Sequence, residues 1–287
     1  MRSRLALGST LAALVTLAVG ACGSPIVPPP IVVNTPPTID SVAIASTRAE
    51  ADLPIQVSAT VSDTETPLGQ LTYTWSASPQ PGTFSGNTFS GSQALITWRP
   101  PKGQKTPDVY TVSLTVSESY TSAGQAKQNV VSKSTTVHYN DSSAETVSLA
   151  YDFLVYKFGN FNVSAAEAVS NFSDSCSGKA EELGQIETNR KEFHILSASF
   201  PAPVATFNSS LTAGTVEGPC TFEDIPGPGH DNAGHREFVT GTCALTTVYE
   251  NFRWYLCDSF FNPPYMTTLA SLRGRVPGRI GRPVRGF

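Results

Sequence analysis

This 287-residue sequence predicts an all-β sandwich followed by an α+β domain, and three observations carry the prediction. From Thr38 to about Tyr139, apolar and polar residues alternate strictly, as half-buried strands require. After Tyr139 the apolar spacing becomes helical, and beyond Phe193 it returns to runs of strand character. Hydrophobic residues make up 40% of the chain and charged ones 15%, enough apolar surface for two cores and too much for a disordered polymer. Lys and Arg number 19 against 23 Asp and Glu, so no global positive charge attracts a polyanion, and no nucleic-acid partner is expected.

The first element is an export signal at residues 1–21. Arg2 and Arg4 precede an apolar run from Leu11 to Ala21, which is shorter than the roughly 20 residues a spanning helix needs. Its end, Val19-Gly20-Ala21-Cys22, resembles the lipobox of bacterial lipoproteins, an aliphatic residue and two small ones before the cysteine that takes the lipid. The resemblance implies lipidation of Cys22 and, with Gly23 rather than Asp next, an outer-membrane anchor facing the periplasm or the cell surface. Loss of Arg2 and Arg4 with the signal leaves 17 basic against 23 acidic side chains, a net charge of −6. Residues 22–37 form a Pro-rich linker. Six prolines between Ser24 and Pro37 favour extended polyproline II, and 14 residues at about 3.1 Å each reach roughly 40 Å.

Residues 38–140 follow as the sandwich. Ile55, Val57, Ala59 and Val61 interleave with polar residues, as do Leu71, Tyr73 and Trp75, and then Tyr110, Val112, Leu114 and Val116. Turn chemistry separates them at Ser78-Pro79-Gln80-Pro81-Gly82 and Arg99-Pro100-Pro101-Lys102-Gly103. About seven strands are expected, with Trp75 and Trp98 large enough to fill the space between two sheets. The order Val57-Ser58-Ala59-Thr60-Val61-Ser62-Asp63, Leu71-Thr72-Tyr73-Thr74-Trp75, Ile96-Thr97-Trp98 and Tyr110-Thr111-Val112-Ser113-Leu114-Thr115-Val116 resembles the PKD (polycystic kidney disease) domains of bacterial surface proteins. That resemblance implies an immunoglobulin-like sandwich used for spacing, adhesion or protein contact. Where the family ends this strand with Asp, this chain has Ser117-Glu118, and Asp63 and Glu65 read as solvated turn acids rather than calcium ligands.

Residues 141–265 form the α+β domain. Ser142-Ser143-Ala144-Glu145 fits a capping box, with Val147, Ala150, Tyr151, Leu154 and Phe158 at helical spacing behind it. Ser164-Ala165-Ala166-Glu167 opens a shorter helix, and Lys179 to Phe193 is rich in helix formers. Strands are expected within His194–Phe207 and Leu211–Glu223, and Arg236–Phe260 reads as a long hairpin turning near Glu250-Asn251. This order, closing on Arg253-Trp254-Tyr255-Leu256-Cys257-Asp258, resembles the cone-shaped superfamily of nuclear transport factor two. It implies three helices on an antiparallel curved sheet enclosing a pocket, in a group that includes both isomerases and binding-only members.

Apart from Cys22, the cysteines are Cys176, Cys220, Cys243 and Cys257, an even number in a chain read as exported, so two disulfides are expected. Three connectivities stay open. Cys243 and Cys257 lie symmetrically about Glu250, which would allow a bridge across the hairpin. Spacings of 44, 23 and 14 residues are unlike the close pairs of a zinc site. Pocket candidates are Tyr151, His194 and Asp258, with Asp152 beside them; none belongs to a catalytic motif. Tyr151 reads as core, His194 as a rim residue and Asp258 as solvent-facing. His230 and His235 in a Gly/Pro-rich loop supply two ligands at most, so no metal and no cofactor is expected. Residues 266–287 carry five arginines among Gly and Pro with no acid, the pattern of a disordered basic tail. The sequence therefore reads as a lipid-anchored envelope protein that binds, adheres or scaffolds, with a protein or glycan partner and no catalysis. The alternative is a small-molecule isomerase or hydrolase in the C-terminal domain.

Overall fold

The computed structural model describes residues 28–90 and 92–262. The expected export signal at residues 1–21, Cys22 and the expected basic tail at residues 266–287 lie outside the described residues. The architecture is an immunoglobulin-like sandwich followed by an α+β domain with its helices on one face of an antiparallel sheet.

The sandwich holds eight strands: β1 (Thr38–Ile44), β2 (Arg48–Glu50), β3 (Ile55–Ser62), β4 (Thr72–Ser78), β5 (Thr83–Ser90), β6 (Gln93–Arg99), β7 (Asp108–Ser122) and β8 (Gln125–Asn140). One sheet runs β1-β3-β6-β5 and the other β2-β8-β7-β4. The strand beyond the seven expected is β2, three residues lying parallel to the end of β8. Alternation does what it predicts, since Val57, Ala59 and Val61 face inward against Tyr110, Val112, Leu114 and Val116, all at most 1% exposed. Trp98 is fully buried, Trp75 only partly. Around Trp98, Phe84, Tyr110 and Tyr139 form a chain of ring contacts at 6.2, 5.8 and 4.7 Å, and its indole N–H donates to the Pro81 carbonyl at 2.9 Å. Gly82, at φ +63°, passes under that indole where a β-carbon would collide with the ring nitrogen and the Arg99 carbonyl.

The described part of the Pro-rich linker is not free. Ala123 N–H donates to Pro30 O at 3.1 Å, and the Ser122 hydroxyl bonds both backbone groups of Val32. This ties residues 30–32 to the β7–β8 turn, and Thr35 reaches Glu65 at 3.0 Å, so part of the roughly 40 Å reach is taken up along the sandwich. The Asp63 carboxylate accepts from the N–H groups of Glu65 and Thr66, an Asx turn. Glu118, 2% exposed, is held by Thr66 and by Asn129 at 3.2 Å.

The second domain contains α1 (Ser142–Tyr151), which continues into a π-helical segment (Asp152–Lys157), then α2 (Ala165–Ala168), α3 (Gly178–Glu192), β9 (Phe193–Ser199), β10 (Val204–Phe207), β11 (Ala213–Pro226), β12 (Glu237–Glu250) and β13 (Arg253–Asn262). The sheet runs β10-β11-β12-β13, and β9 shares the edge of β11 with β10. Helix α1 is capped one residue earlier than the capping box implies: Asp141 accepts from Ala144 N–H at 3.0 Å. Ser164 caps α2 as read, accepting from Glu167 N–H at 3.1 Å. The π-turn is marked by Phe158 N–H donating to Phe153 O at 2.8 Å. Phe153 and Leu154 turn inward, and Tyr151 is left 38% exposed rather than in the core.

Both expected disulfides form, with pairings Cys176–Cys257 and Cys220–Cys243. A Cys243–Cys257 bridge is absent because the hairpin turns on Asn251-Phe252, both at positive φ as a type I′ turn demands, and a bulge follows between Thr246 and Thr247. Cys243 therefore faces Phe261, four residues or about 13 Å beyond Cys257. Instead it pairs diagonally with Cys220, which lies opposite Gly241 on β11.

The two domains meet with Asp141 as the single residue between β8 and α1. Arg48 of β2 crosses the junction, its guanidinium 3.8 Å from the Tyr249 ring centre, donating to Leu211 O at 2.7 Å and paired with Glu50 at 2.6 Å. Glu50 accepts from the Ser142 N–H and hydroxyl, Trp254 Nε1 donates to Ser142 Oγ at 2.9 Å, and Tyr249 Oη donates to Asn140 at 2.6 Å. Burial pushes the Glu145 carboxyl in this network upward, against the hydrogen bonds from Thr106 and Asn140. Ser142 thus serves the junction, which is why the cap falls to Asp141.

Candidate binding recess under helix α3

Between α3 and the sheet lies a recess of about 160 Å³. Its floor takes alternate residues of two strands, Phe222 and Asp224 from β11 and Val239, Cys243 and Leu245 from β12, and the consecutive Ser259, Phe260 and Phe261 from β13. Gly241 falls in the β12 series, and a β-carbon there would lie 2.6 Å from the Phe261 ring, so the missing side chain gives that ring its place. Leu154 and Phe158 close one side and Ile195 of β9 another. The rings Phe158, Phe222 and Phe261 follow one another at 5.7 and 5.4 Å.

Helix α3 supplies the roof through Glu182, Gln185 and Asn189, one helical stripe shared with the fully buried Ile186. Its start is fastened to β13 by the Cys176–Cys257 bridge and by Gly178, where any β-carbon would run into the Cys257 carbonyl. Glu182 is 4% exposed and accepts a hydrogen bond from Ser259 Oγ at 2.6 Å. Burial pushes its carboxyl up to about 7, with Asp258 adding to the rise and the Ser259 hydrogen bond opposing it. Near neutral pH it exchanges between a neutral acid that donates a hydrogen bond and a carboxylate that accepts one.

The residues singled out in the sequence are not gathered here. Tyr151 sits outside the recess with its ring 5.5 Å from Tyr156, and Asp152 pairs with Lys157 at 2.8 Å and accepts from Asn171. His194 stacks on Phe161 at 5.0 Å and lines a second recess, of about 520 Å³, between β9 and residues 155–162. Asp258 is the one of the three near the site, acting on Glu182 through its charge rather than as a lining residue. His230 packs against Phe193 at 4.8 Å, and among the described residues no group of three or more His, Cys, Asp or Glu stands together as a metal site. Glu182, Asp224 and Ser259 escape a motif search because each comes from a different element. The available signal was the stripe Glu182, Gln185, Ile186, Asn189, which puts polar side chains on the buried face of α3.

No protein-family model matches the chain, and no curated protein matches its sequence. Among solved structures, a putative calcium/calmodulin dependent protein kinase II association domain from Xanthomonas campestris is similar over 42% of this chain and 86% of its own, at 8% identity and TM-score 0.33. A nuclear transport factor 2-like superfamily protein from Salmonella enterica is similar over 30% and 63%, at 18% identity and TM-score 0.24. The SrpA adhesin of Streptococcus sanguinis is similar over 72% and 94%, at 15% identity and TM-score 0.26.

Proposed function

We propose that this chain is an exported binding protein, held at the bacterial outer membrane by a lipid on Cys22, in which the sandwich carries a small-ligand head. The observation that supports the binding role is the recess under α3, lined by phenyl rings and aliphatic side chains together with the buried acids Glu182 and Asp224. About 150 Å³ of apolar space takes one benzene, so a recess of about 160 Å³ suits a single ring or a branched alkyl group. Two disulfides in the head agree with an oxidising compartment. The linker contacts the β7–β8 turn while the head joins at the other end of β8, an arrangement that suits an anchor preceding the linker.

Thermal unfolding with and without saturating toluene tests the head. Toluene raises the transition of the parent and leaves Val239→Trp, which fills the recess, unmoved; an unshifted parent refutes the binding role. For the anchor, Cys22→Ser must abolish incorporation of labelled fatty acid. A second reading, an isomerase or hydrolase, is favoured by the Glu182 carboxyl, whose protonation midpoint of about 7 suits general acid–base work. Turnover lost in Glu182→Gln with ligand binding retained distinguishes it from binding alone.

A further inference from the structure

We infer that the recess under α3 selects a small organic amine, a cation on a single-ring or branched alkyl body; this rests on the binding role proposed above. The walls are electrostatically one-sided. Glu182 from α3 and Asp224 from β11 both line the recess, and no Lys, Arg or His is among its lining residues. Asp258, next to the lining Ser259 on β13, adds a third acid, while Leu154, Phe158, Phe193 and Ile195 bring no charge from the π-segment and β9. Of the cations on α3, Lys179, one turn before Glu182, is paired with Asp174 at 2.6 Å, and Arg190 donates to the carbonyls of Lys157, Phe158 and Val163, with its closest contact 2.6 Å to Val163.

An anion would meet the acids Glu182 and Asp224 on two walls, and no Lys, Arg or His lines the recess to receive it. A protonated amine meets a carboxylate able to accept its N–H groups and the faces of Phe158, Phe222 and Phe261, which attract cations when desolvated. Its charge also stabilises ionised Glu182, so binding at pH 6 drives the Glu182 proton into solution, and ligand and proton compete.

Calorimetric titration of the full exported chain with benzylamine, benzyl alcohol and toluene tests this. At pH 6 benzylamine is expected to bind about tenfold more tightly than benzyl alcohol. Repeating the titration in two buffers of different ionisation heat should show release approaching one proton per amine bound. Glu182→Gln should abolish both the preference and the release. Proton release is read on the parent, so the test holds even if that variant folds poorly. Benzyl alcohol or toluene binding as well as the amine, with no proton released, overturns the amine and leaves a ring-binding recess. Silence from all three compounds overturns the amine and the binding role together.

Discussion

The two domains solve the problem of a β core in opposite ways. In the sandwich, two apolar sheet faces close on each other around Trp98, Tyr110 and Tyr139, and no cysteine is present. In the α+β domain a single sheet packs against helices, the space beneath α3 is not filled, and two disulfides are present. A face that is filled by its partner needs no further constraint. One that leaves room for something else loses packing there and is held by covalent links instead.

The largest effect that would break this comparison is loss of the disulfides. Cys176→Ser with Cys257→Ser opens a loop with a sequence separation of 81 and should cost about 4 kcal/mol; the Cys220 and Cys243 pair, separated by 23, about 3 kcal/mol. Urea unfolding under reducing conditions is expected to lower the α+β transition and leave that of the sandwich in place. A common shift of both would mean that the domains do not differ in this way. Next comes Trp98→Ala, which should cost the sandwich about 4 kcal/mol because the indole is fully buried in an aromatic cluster. Near-UV circular dichroism should show the loss with the recess still able to bind a ring compound.

The buried acid gives the third test. With its carboxyl at about 7 in the fold against 4.5 unfolded, Glu182 binds its proton more tightly in the native state. Stability therefore falls as pH rises from about 4.5 to about 7, by about 3 kcal/mol in all, and levels off above. In Glu182→Gln that fall should vanish, measured as urea midpoints across the window; a parallel decline in both proteins would place the cause elsewhere. Smallest is Tyr249→Phe, which removes the 2.6 Å hydrogen bond to Asn140 and should cost about 1 kcal/mol. Small-angle scattering should then record a looser junction, with each domain intact.

The same contrast explains how much was legible. Sandwich strands announce themselves because a period of two is local, and Val57, Ala59 and Val61 need no distant partner to declare which way they face. Three helices and a closing hairpin were readable for the same reason. Tyr151 was misplaced because α1 turns Thr146 and Ala150 inward and leaves the next position facing out, and Cys243–Cys257 failed because one bulge and a turn shifted by a residue or two move a register by four. The recess was hidden, as Glu182, Asp224 and Ser259 lie on three elements and show no shared spacing.

Composition and period alone determined a two-module chain, its alternating sandwich, its helices and an even set of distal cysteines. Only the tertiary structure decided which cysteines pair, that Arg48 and Ser142 join the modules, and that a glutamate on α3 is buried over the same recess as an aspartate of β11. The division has a physical cause: periodicity is set by backbone geometry within a few residues, whereas register, disulfide partners and cavities depend on how far elements slide and bend before their apolar faces meet.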